Sequence, residues 1–418
     1  MHCRNNARAR ASKLAAGRRD DGSRRSRVIR RVTLLVGAGV VAAAGAQSAA
    51  AAGWSIDQVP QLAHSSDAEL SGVSCISRID CVAVGQSVVP STDEPIPVVE
   101  HWNGSSWSNE HAPLPRRSDS SGGLSGVSCI SSTACIAVGF RYSETSGDLG
   151  SLAERWNGSS WSIQRTPRLA DGDQFDDVSC VSITDCIAVG GNGLAPIAER
   201  WDGRGWSVQN LHFGDPDGRP NALMSVSCAP GRCAVVGWDN VGICGEGVYN
   251  GYDPPIIGSV PVFGFWTDRG WSLVRRPNLA CSNNGGDILN AVSCASATTC
   301  TAVGTKVYRW NGRHWSVQAA PIGGELTGVS CPSTDACTAI GSRIDTWDGR
   351  RWSTVQIPRP ADAVARELTA VSCPSRATCV AVGGYIDHTL NGDLLIESRG
   401  VGATPAMRAR RACPSSER

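Results

Sequence analysis

The chain has 418 residues, 39 Lys and Arg against 38 Asp and Glu, and eighteen Cys, so its overall charge is close to zero. That balance averages two unlike parts, because residues 1–31 carry eleven basic and two acidic residues, whereas residues 53–400 carry 24 basic and 35 acidic ones. An acidic body argues against nucleic acid and anionic membrane surfaces as partners.

The amino-terminal segment, residues 1–52, has the pattern of a secretory signal peptide. A basic region ending at Arg31 is followed by an apolar stretch and by small residues that offer cleavage positions between residues 46 and 52. The Arg30-Arg31 pair leaves a twin-arginine export route open, and an uncleaved anchor helix over residues 32–52 is the other alternative. We expect a protein that is secreted or associated with the cell surface, with no stable membrane insertion after cleavage.

A Val-Ser-Cys tripeptide recurs seven times in the body of the chain, and a second Cys follows each copy. The paired cysteines are Cys75/Cys81, Cys129/Cys135, Cys180/Cys186, Cys228/Cys233, Cys294/Cys300, Cys331/Cys337 and Cys373/Cys379. Two Cys that flank a tight turn between adjacent strands reach disulfide distance, whereas no His follows the pairs at the spacing of metal ligands. We predict one disulfide per repeat, formed in an oxidising compartment.

Six of the repeats then carry two Trp residues five positions apart. The clearest copy is residues 154–164, Glu-Arg-Trp-Asn-Gly-Ser-Ser-Trp-Ser-Ile-Gln, in which Asn-Gly marks a hairpin turn. Each repeat thus divides into four short strands, a to d, and helical periodicity is absent. Seven repeats of about fifty residues with four strands each predict an all-β, seven-bladed β-propeller.

The two ends of the body complement each other. The seventh repeat stops at Gly400 without its Trp-Ser strand, and the missing piece, Gly-Trp-Ser-Ile-Asp-Gln-Val-Pro, stands at residues 53–60. We predict that this amino-terminal strand completes the last blade and closes the ring, which removes two open sheet edges. The propeller is expected over residues 53–402 and a disordered tail over residues 403–418.

These units, S-C-x-S-x-x-x-C-x-A-V-G and W-N-G-x-x-W-S, resemble those of secreted repeat proteins of high-GC Gram-positive bacteria. The resemblance covers residues 53–400. It implies export and a propeller-like fold, and it implies no shared activity.

Propeller geometry places the a–b and c–d turns on one face and the b–c and d–a loops on the other. The turns are nearly constant in length, whereas the loops vary widely and the fourth repeat has the longest insertion, which predicts a binding site there. The residues predicted to form this site are Trp238, Tyr249, Tyr252, Arg275 and Arg276. Cys244 and Cys281, left over from the repeat pairs, are predicted to form an eighth disulfide at the same place.

The recurrent Trp residues are predicted to pack between blades, with stacking on sugar rings as the alternative. An acidic residue stands two positions before the first Trp, or before its equivalent, in five repeats, and we expect it to bond a neighbouring blade or turn. These acids are Glu100, Glu154, Glu199, Asp345 and Glu397.

The sequence contains no P-loop, dinucleotide fingerprint or G-x-S-x-G motif. The favoured function is a non-catalytic binding or scaffold protein, expected to be monomeric, whose loop face binds an extracellular glycan, peptide or protein; a purely structural adhesive protein is a further option.

The alternative is a carbohydrate-active enzyme, a glycoside hydrolase or polysaccharide lyase, with acidic residues at the central opening. Its candidate acids are Asp173, Asp176, Asp215, Asp217 and Asp287. No cofactor is expected apart from the weaker alternative of a calcium site on d–a loops, with solvated acidic loops as the competing interpretation. The calcium candidates are Asp171, Asp173, Asp215 and Asp217.

Overall fold

The structure is a computed structural model of the whole chain. It describes residues 53–62, 66–114, 120–143, 149–167, 172–192, 195–211, 222–243, 257–267, 269–275, 288–319, 324–389 and 391–401. The predicted signal peptide and carboxy-terminal tail lie outside these residues and stay predictions. Within the described ranges, no helix is long and apolar enough to cross a membrane.

Seven four-stranded antiparallel sheets form the fold, which confirms the predicted seven-bladed β-propeller. Blade 1 comprises β2 (Ser66–Ser77), β3 (Asp80–Val89), β4 (Glu94–Trp102) and β5 (Trp107–Glu110). Blade 2 comprises β6 (Ser120–Ser131), β7 (Ala134–Ser143), β8 (Leu149–Trp156) and β9 (Trp161–Gln164). Blade 3 comprises β10 (Gln174–Ser182), β11 (Asp185–Gly191), β12 (Pro196–Trp201) and β13 (Trp206–Val208). Blades 4 and 5 comprise β14 (Ala222–Ala229), β15 (Arg232–Ile243), β16 (Ile257–Thr267) and β17 (Gly270–Arg275); and β18 (Leu289–Ser296), β19 (Thr299–Gly304), β20 (Val307–Trp310) and β21 (Trp315–Gln318). Blade 6 comprises β22 (Leu326–Ser333), β23 (Ala336–Gly341), β24 (Ile344–Trp347) and β25 (Trp352–Val355).

Blade 7 is built from both ends of the body. Strands β26 (Ala365–Ser375), β27 (Thr378–Ile386) and β28 (Gly392–Arg399) are completed by β1 (Ser55–Ile56). Strand β1 pairs with β28 through Ser55 opposite Ser398, and the Asp57 N–H donates to the Ile396 carbonyl at 2.9 Å. Trp54 is buried in the cluster that contains Leu395, so the predicted closure by the amino-terminal strand is confirmed.

A closed ring of hydrogen bonds joins the seven inner strands. In each blade the backbone N–H of the Cys in Val-Ser-Cys donates to the Ser Oγ of the preceding blade, at N···O distances of 2.9–3.0 Å. The donor and acceptor pairs are Cys75–Ser372, Cys129–Ser74, Cys180–Ser128, Cys228–Ser179, Cys294–Ser227, Cys331–Ser293 and Cys373–Ser330. The pair Cys75–Ser372 spans 297 positions and links blade 7 to blade 1.

The cysteines and tryptophans form a transverse row across blades 1 to 6, and in blade 7 Arg399 faces Cys379 in place of the first Trp. In blade 2, Cys129 faces Cys135, Cys135 faces Trp156, and Trp156 faces Trp161. Every strand-d Trp is at most 8% exposed, which agrees with packing rather than sugar stacking.

All seven predicted repeat disulfides are present, with Cα–Cα distances of 3.9–4.1 Å. The bonded pairs are Cys75–Cys81, Cys129–Cys135, Cys180–Cys186, Cys228–Cys233, Cys294–Cys300, Cys331–Cys337 and Cys373–Cys379. Each pair joins strand a to strand b of its own blade, as the spacing predicts.

The strand-b cysteines are core residues, which the sequence pattern does not indicate. Each is at most 4% exposed, although it follows a turn at the surface. The seven are Cys81, Cys135, Cys186, Cys233, Cys300, Cys337 and Cys379. They are buried because the neighbouring blade packs over strand b, as the clusters around Cys81 and Cys337 show. These cysteines are therefore structural residues and contribute nothing to a binding surface.

The Gly that ends each Ala-Val-Gly segment, or its equivalent, in strand b permits a close approach to strand a. At Gly85 an added Cβ would lie 2.0 Å from the Glu69 carbonyl oxygen, and at Gly139 it would lie 2.1 Å from the Gly123 carbonyl. The neighbouring register shift in strand a, between Leu70 and Gly72 in blade 1, marks a bulge that brings this carbonyl inward. Any side chain at the Gly position would displace the bulged backbone.

We expect Trp54→Ala to destabilise the protein by about 3–5 kcal/mol, because it removes a buried indole from the blade that closes the ring. The matched control is Ile56→Ala, two residues along, where the side chain is 38% exposed and the loss should stay within about 0.5 kcal/mol. Guanidinium unfolding of the oxidised protein measures both. Equal losses in the two variants would contradict the role of Trp54 in closure.

Candidate functional site

The face that carries the a–b and c–d turns, called the turn face, is nearly the same in every blade. In blade 2, the Asn157 Oδ1 accepts the N–H groups of Ser159 and Ser160 at 2.9 and 3.0 Å, and Gly158 supplies the positive φ of 96°. The Trp156 Nε1–H donates to the carbonyl of Ser132 in the a–b turn at 3.0 Å. Local bonds of this kind fix the turn conformations.

The opposite face, called the loop face, is uneven because the strands end at different heights. Strand c has four residues in blades 5 and 6, where β20 and β24 follow b–c connections of two residues, 305–306 and 342–343. In blade 4, strand c has eleven residues (β16) and strand b twelve (β15). Blade 4 therefore rises above its neighbour, blade 5.

Trp238 lies in this raised part of blade 4. Sequence analysis places it in a loop, whereas the structure places it in β15, opposite Ala222 of β14 and Pro261 of β16. The difference arises because β15 continues beyond Gly237, where strand b of blade 5 ends at the equivalent Gly304. Its side chain is half-buried on the loop-face end of the blade.

Of the other predicted binding residues, only Arg275 lies in a described strand. Arg275 ends β17, opposite Val262, and its side chain is outside the described part of the structure. Tyr249, Tyr252 and Arg276 lie outside the described residues. The grouping of these residues around Trp238 therefore stays a prediction, and so does the Cys244–Cys281 disulfide, whose cysteines fall in the same undescribed ranges.

Of the calcium candidates, only Asp173 is described, and it is buried with 4% exposure rather than solvated. Asp171, Asp215 and Asp217 lie outside the described residues. Among the residues that are described, no group of three or more His, Cys, Asp or Glu side chains is arranged to hold a metal ion. Asp173 instead lies close enough to the buried Glu199 to raise its pKa.

The acids proposed for catalysis are not shown to converge. Asp176 lies in β10 and its Oδ1 accepts a hydrogen bond from Gln174 at 3.3 Å, while Asp287 lies outside the described residues. The neighbouring Asp177 accepts hydrogen bonds from the Ser225 hydroxyl and the Val226 N–H of blade 4. Burial raises the pKa of Asp177 to about 6 against these opposing bonds.

The acids before the first Trp, or before its equivalent, form a set of fully buried carboxyl groups between blades. Each is 0% exposed and, where the register is described, faces an Ala of strand b, whose small side chain leaves room for it. The acids are Glu100, Glu154, Glu199, Asp345 and Glu397. Burial raises the pKa of Glu154 and of Glu199 to about 8, and Asp173 adds to the shift at Glu199.

Of the five acids, Asp345 has the expected bond to a turn, since its Oδ2 accepts the Arg343 Nε–H of the b–c connection at 2.9 Å, whereas the others show no bond to a neighbouring blade or turn in the described part of the chain. Glu100 bonds Asn109 and Glu397 bonds Arg366, both within their own blades, and burial nevertheless raises the pKa of each acid to about 7. Both carboxyl oxygens of Glu154 lack a hydrogen-bond partner among the described residues, as do those of Glu199. Since a buried carboxylate without partners is costly, Glu154 and Glu199 are stable as neutral carboxylic acids.

Stability should therefore fall with rising pH. A carboxyl with a folded pKa near 8 and an unfolded value near 4.5 stabilises fully below pH 4.5 and loses that contribution as the pH rises to about 8. We expect Glu154→Gln to flatten this dependence, on the order of 2 kcal/mol between pH 6 and 8, in urea unfolding across that range. The exposed Glu367→Gln is the control; an unchanged slope for Glu154→Gln would show that Glu154 does not titrate in this window.

No protein-family model matches the chain, and no curated protein matches it. Among solved structures, it is similar to U3-55K, with 12% identity, a TM-score of 0.50, and coverage of 83% of this chain and 98% of that one. It is also similar to Sqt1 from Chaetomium thermophilum, with 10% identity, a TM-score of 0.46, and coverage of 84% of this chain and 90% of that one. A third similar structure is an arabinobiose-bound α-L-arabinanase from Penicillium chrysogenum, with 10% identity, a TM-score of 0.42, and coverage of 81% of this chain and 94% of that one. At these identities the similarity to U3-55K shows the fold alone, so the function must be argued from this chain's own surface.

Proposed function

We propose that this protein is an extracellular, non-catalytic binding protein that holds a glycan, peptide or protein ligand on its loop face, at the raised part of blade 4. The seven disulfides suggest an extracellular or secreted protein, because such bonds persist in oxidising compartments. The observation that carries the proposal is the contrast between a turn face of nearly constant backbone and an uneven loop face on one rigid ring.

Trp238 gives this surface a chemically suitable contact. Its indole is half-buried in β15, beyond the level at which strand b of blade 5 ends, so part of the ring remains accessible to a ligand. A large aromatic side chain held by a paired strand loses little conformational entropy on binding. Tyr249 and Tyr252 follow in the same b–c connection and are proposed to extend the contact.

The described acids give no comparable support to a hydrolase or lyase. The carboxyls with strongly raised pKa values, such as Glu154 and Glu199, are 0% exposed between blades, where a polysaccharide has no access. Catalysis of glycoside hydrolysis needs two carboxyls on either side of a bound sugar. The burial of Glu154 and Glu199 makes them core residues rather than candidates for this role.

The test is a binding screen of the oxidised mature protein on an immobilised glycan array and a peptide array. The variant Trp238→Ala/Tyr249→Ala/Tyr252→Ala should lose at least about tenfold in affinity for any ligand that the unaltered protein binds, because it removes the aromatic contacts. Its melting temperature should stay near that of the unaltered protein.

The matched control is Tyr142→Ala, which removes an aromatic side chain that is 38% exposed on β7, at the loop face of blade 2. It should bind normally if blade 4 is the site. Normal binding by the triple variant, or an equal loss in Tyr142→Ala, would remove blade 4 as the binding site.

A further inference from the structure

Although residues 53–400 carry a net negative charge, the turn face is rich in basic residues. The residues in and beside the a–b and c–d turns include twelve arginines and, among the described residues, five aspartates. The arginines are Arg78, Arg155, Arg200, Arg204, Arg232, Arg269, Arg309, Arg313, Arg350, Arg351, Arg376 and Arg399, and the aspartates are Asp80, Asp185, Asp202, Asp335 and Asp348. The argument against nucleic acid and anionic membrane surfaces rests on the charge of the whole body, so it does not extend to every anionic ligand of this face.

Several of those aspartates are already used within the turns. The Asp202 Oδ1 accepts the N–H groups of Arg204 and Gly205, and the Asp348 Oδ1 accepts those of Arg350 and Arg351. Asp185 pairs with the Arg200 guanidinium at 2.9 Å. These bonds hold the carboxylates in the turns but leave them charged, so the net positive charge of this face comes from the excess of arginines over aspartates, twelve against six when Asp268, known from the sequence alone, is included.

A groove of about 550 Å³ opens on this face between blades 4 and 5. Its walls include Pro230, Gly231, Arg232, Arg269, Thr298 and Gly312, which come from the a–b and c–d turns of the two blades. This volume is within the range of pockets that bind small molecules or a few residues of a polymer. The exposed Arg313 follows Gly312 directly at the rim.

The groove lies where the repeat departs from its pattern. Blade 4 has the only C-x4-C pair, and its strand a lacks the register shift that follows the Cys in blades such as 1 and 2. Its two-residue a–b turn is Pro230-Gly231, and Arg232 begins β15. Arg232 is held across the blade boundary, because its Nη1 donates to the Ala297 carbonyl at 3.4 Å and its guanidinium carbon lies 4.9 Å from the Phe265 ring centroid. A guanidinium has five N–H donors, so one such bond leaves most of them for a ligand.

We propose that this groove binds an anionic polysaccharide, with Arg232 and Arg269 contacting its carboxylate or phosphate groups and Arg313 contacting the next charge along the chain. Guanidinium groups bind both anions in a bidentate manner, and the exposed Arg269 and Arg313, on the c–d turns of adjacent blades, can contact successive charged groups of a linear polymer. A membrane surface is less suited to it, since the described exposed large apolar side chains of the turn face, Ile79, Ile130, Val181 and Ile183, belong to blades 1 to 3.

The experiment is isothermal titration of the oxidised mature protein with polygalacturonate, long-chain polyphosphate and neutral dextran, at about 50 and 200 mM NaCl. We expect binding to at least one of the two polyanions, weaker at the higher salt, and none to dextran. Preference for polygalacturonate identifies carboxylate as the bound group, and preference for polyphosphate identifies phosphate. Binding to neither polyanion, or equal binding to dextran, overturns the proposal.

Variants locate the site. Arg269→Glu/Arg313→Glu should weaken binding at least about tenfold through charge reversal, and Thr298→Trp should do the same by filling the groove without changing its charge. The controls are Arg204→Glu, on the turn face of blade 3, and Arg165→Glu, at the end of β9 away from the turn face; both should stay within about threefold of the unaltered protein. Unchanged binding by Thr298→Trp, or an equal loss in Arg204→Glu, would show that the groove is not the site.

Two further measurements separate this inference from its rivals. Sedimentation with phosphatidylglycerol vesicles tests the membrane alternative, and binding to vesicles but not to the soluble polyanions overturns the proposal. The loop-face variant Trp238→Ala/Tyr249→Ala/Tyr252→Ala should keep its polyanion affinity, so the two surfaces can fail independently.

Discussion

The fold depends on one recurring contact, the hydrogen bond from the Cys amide of each inner strand to the Ser hydroxyl of the blade before it. Strands a of neighbouring blades do not share a sheet, so their backbones need another way to satisfy a donor near the centre of the ring. Ser supplies the acceptor, and the next residue, Cys, is joined to strand b by the disulfide. The Val before them packs between blades, as Val127 and Val226 do. Three consecutive residues thus connect a blade to its own second strand and to its neighbour.

In the outer strands, a hydrogen bond to the preceding blade is present in some blades and absent in others among the described residues. The Trp107 Nε1–H donates to Asp57 at 3.0 Å, and the Trp161 Nε1–H donates to Glu110 at 3.0 Å, each acceptor belonging to the preceding blade. These acceptors stand three residues after the strand-d Trp of their own blade. In blade 6 that residue is Val355, which cannot accept from an indole, and the Nε1 of Trp54 in blade 7 has no hydrogen-bond partner among the described residues. Buried area rather than the indole hydrogen bond is therefore the common contribution of these tryptophans, and the bond is an addition where the sequence supplies an acceptor.

Local patterns in the sequence predict most of this fold, because each relates residues within one blade. The Cys spacing predicts the disulfides, Asn-Gly predicts the c–d turn at Gly158, and the split seventh repeat predicts that the amino-terminal strand completes blade 7, where Ser55 pairs with Ser398.

Contacts between blades are not predictable in this way. The role of Ser74 depends on the register between two separate sheets, and the lack of partners around Glu154 depends on which side chains the adjoining blade presents. For the candidate site, the sequence predicts blade 4 but does not predict that Trp238 continues strand b, because the pattern shared by the repeats ends at Gly237 and the Trp-Asp-Asn that follows has no strand-like alternation.

The position of these constraints explains why one face varies and the other does not. The disulfide, the facing Trp pair and the capped c–d turn all lie at the turn-face end of the blade, as Cys135, Trp156 and Asn157 show in blade 2. Residues beyond the strand-b Gly make no contact in the hydrogen-bond ring. Length can therefore be added at the loop face, as in β15 and β16, without disturbing the ring. At the turn face, by contrast, backbone length is fixed and change is confined mostly to side chains, which is where Arg replaces the Ser residues of blades 1 and 2. One scaffold thereby offers a surface that diversifies in shape and another that diversifies in charge.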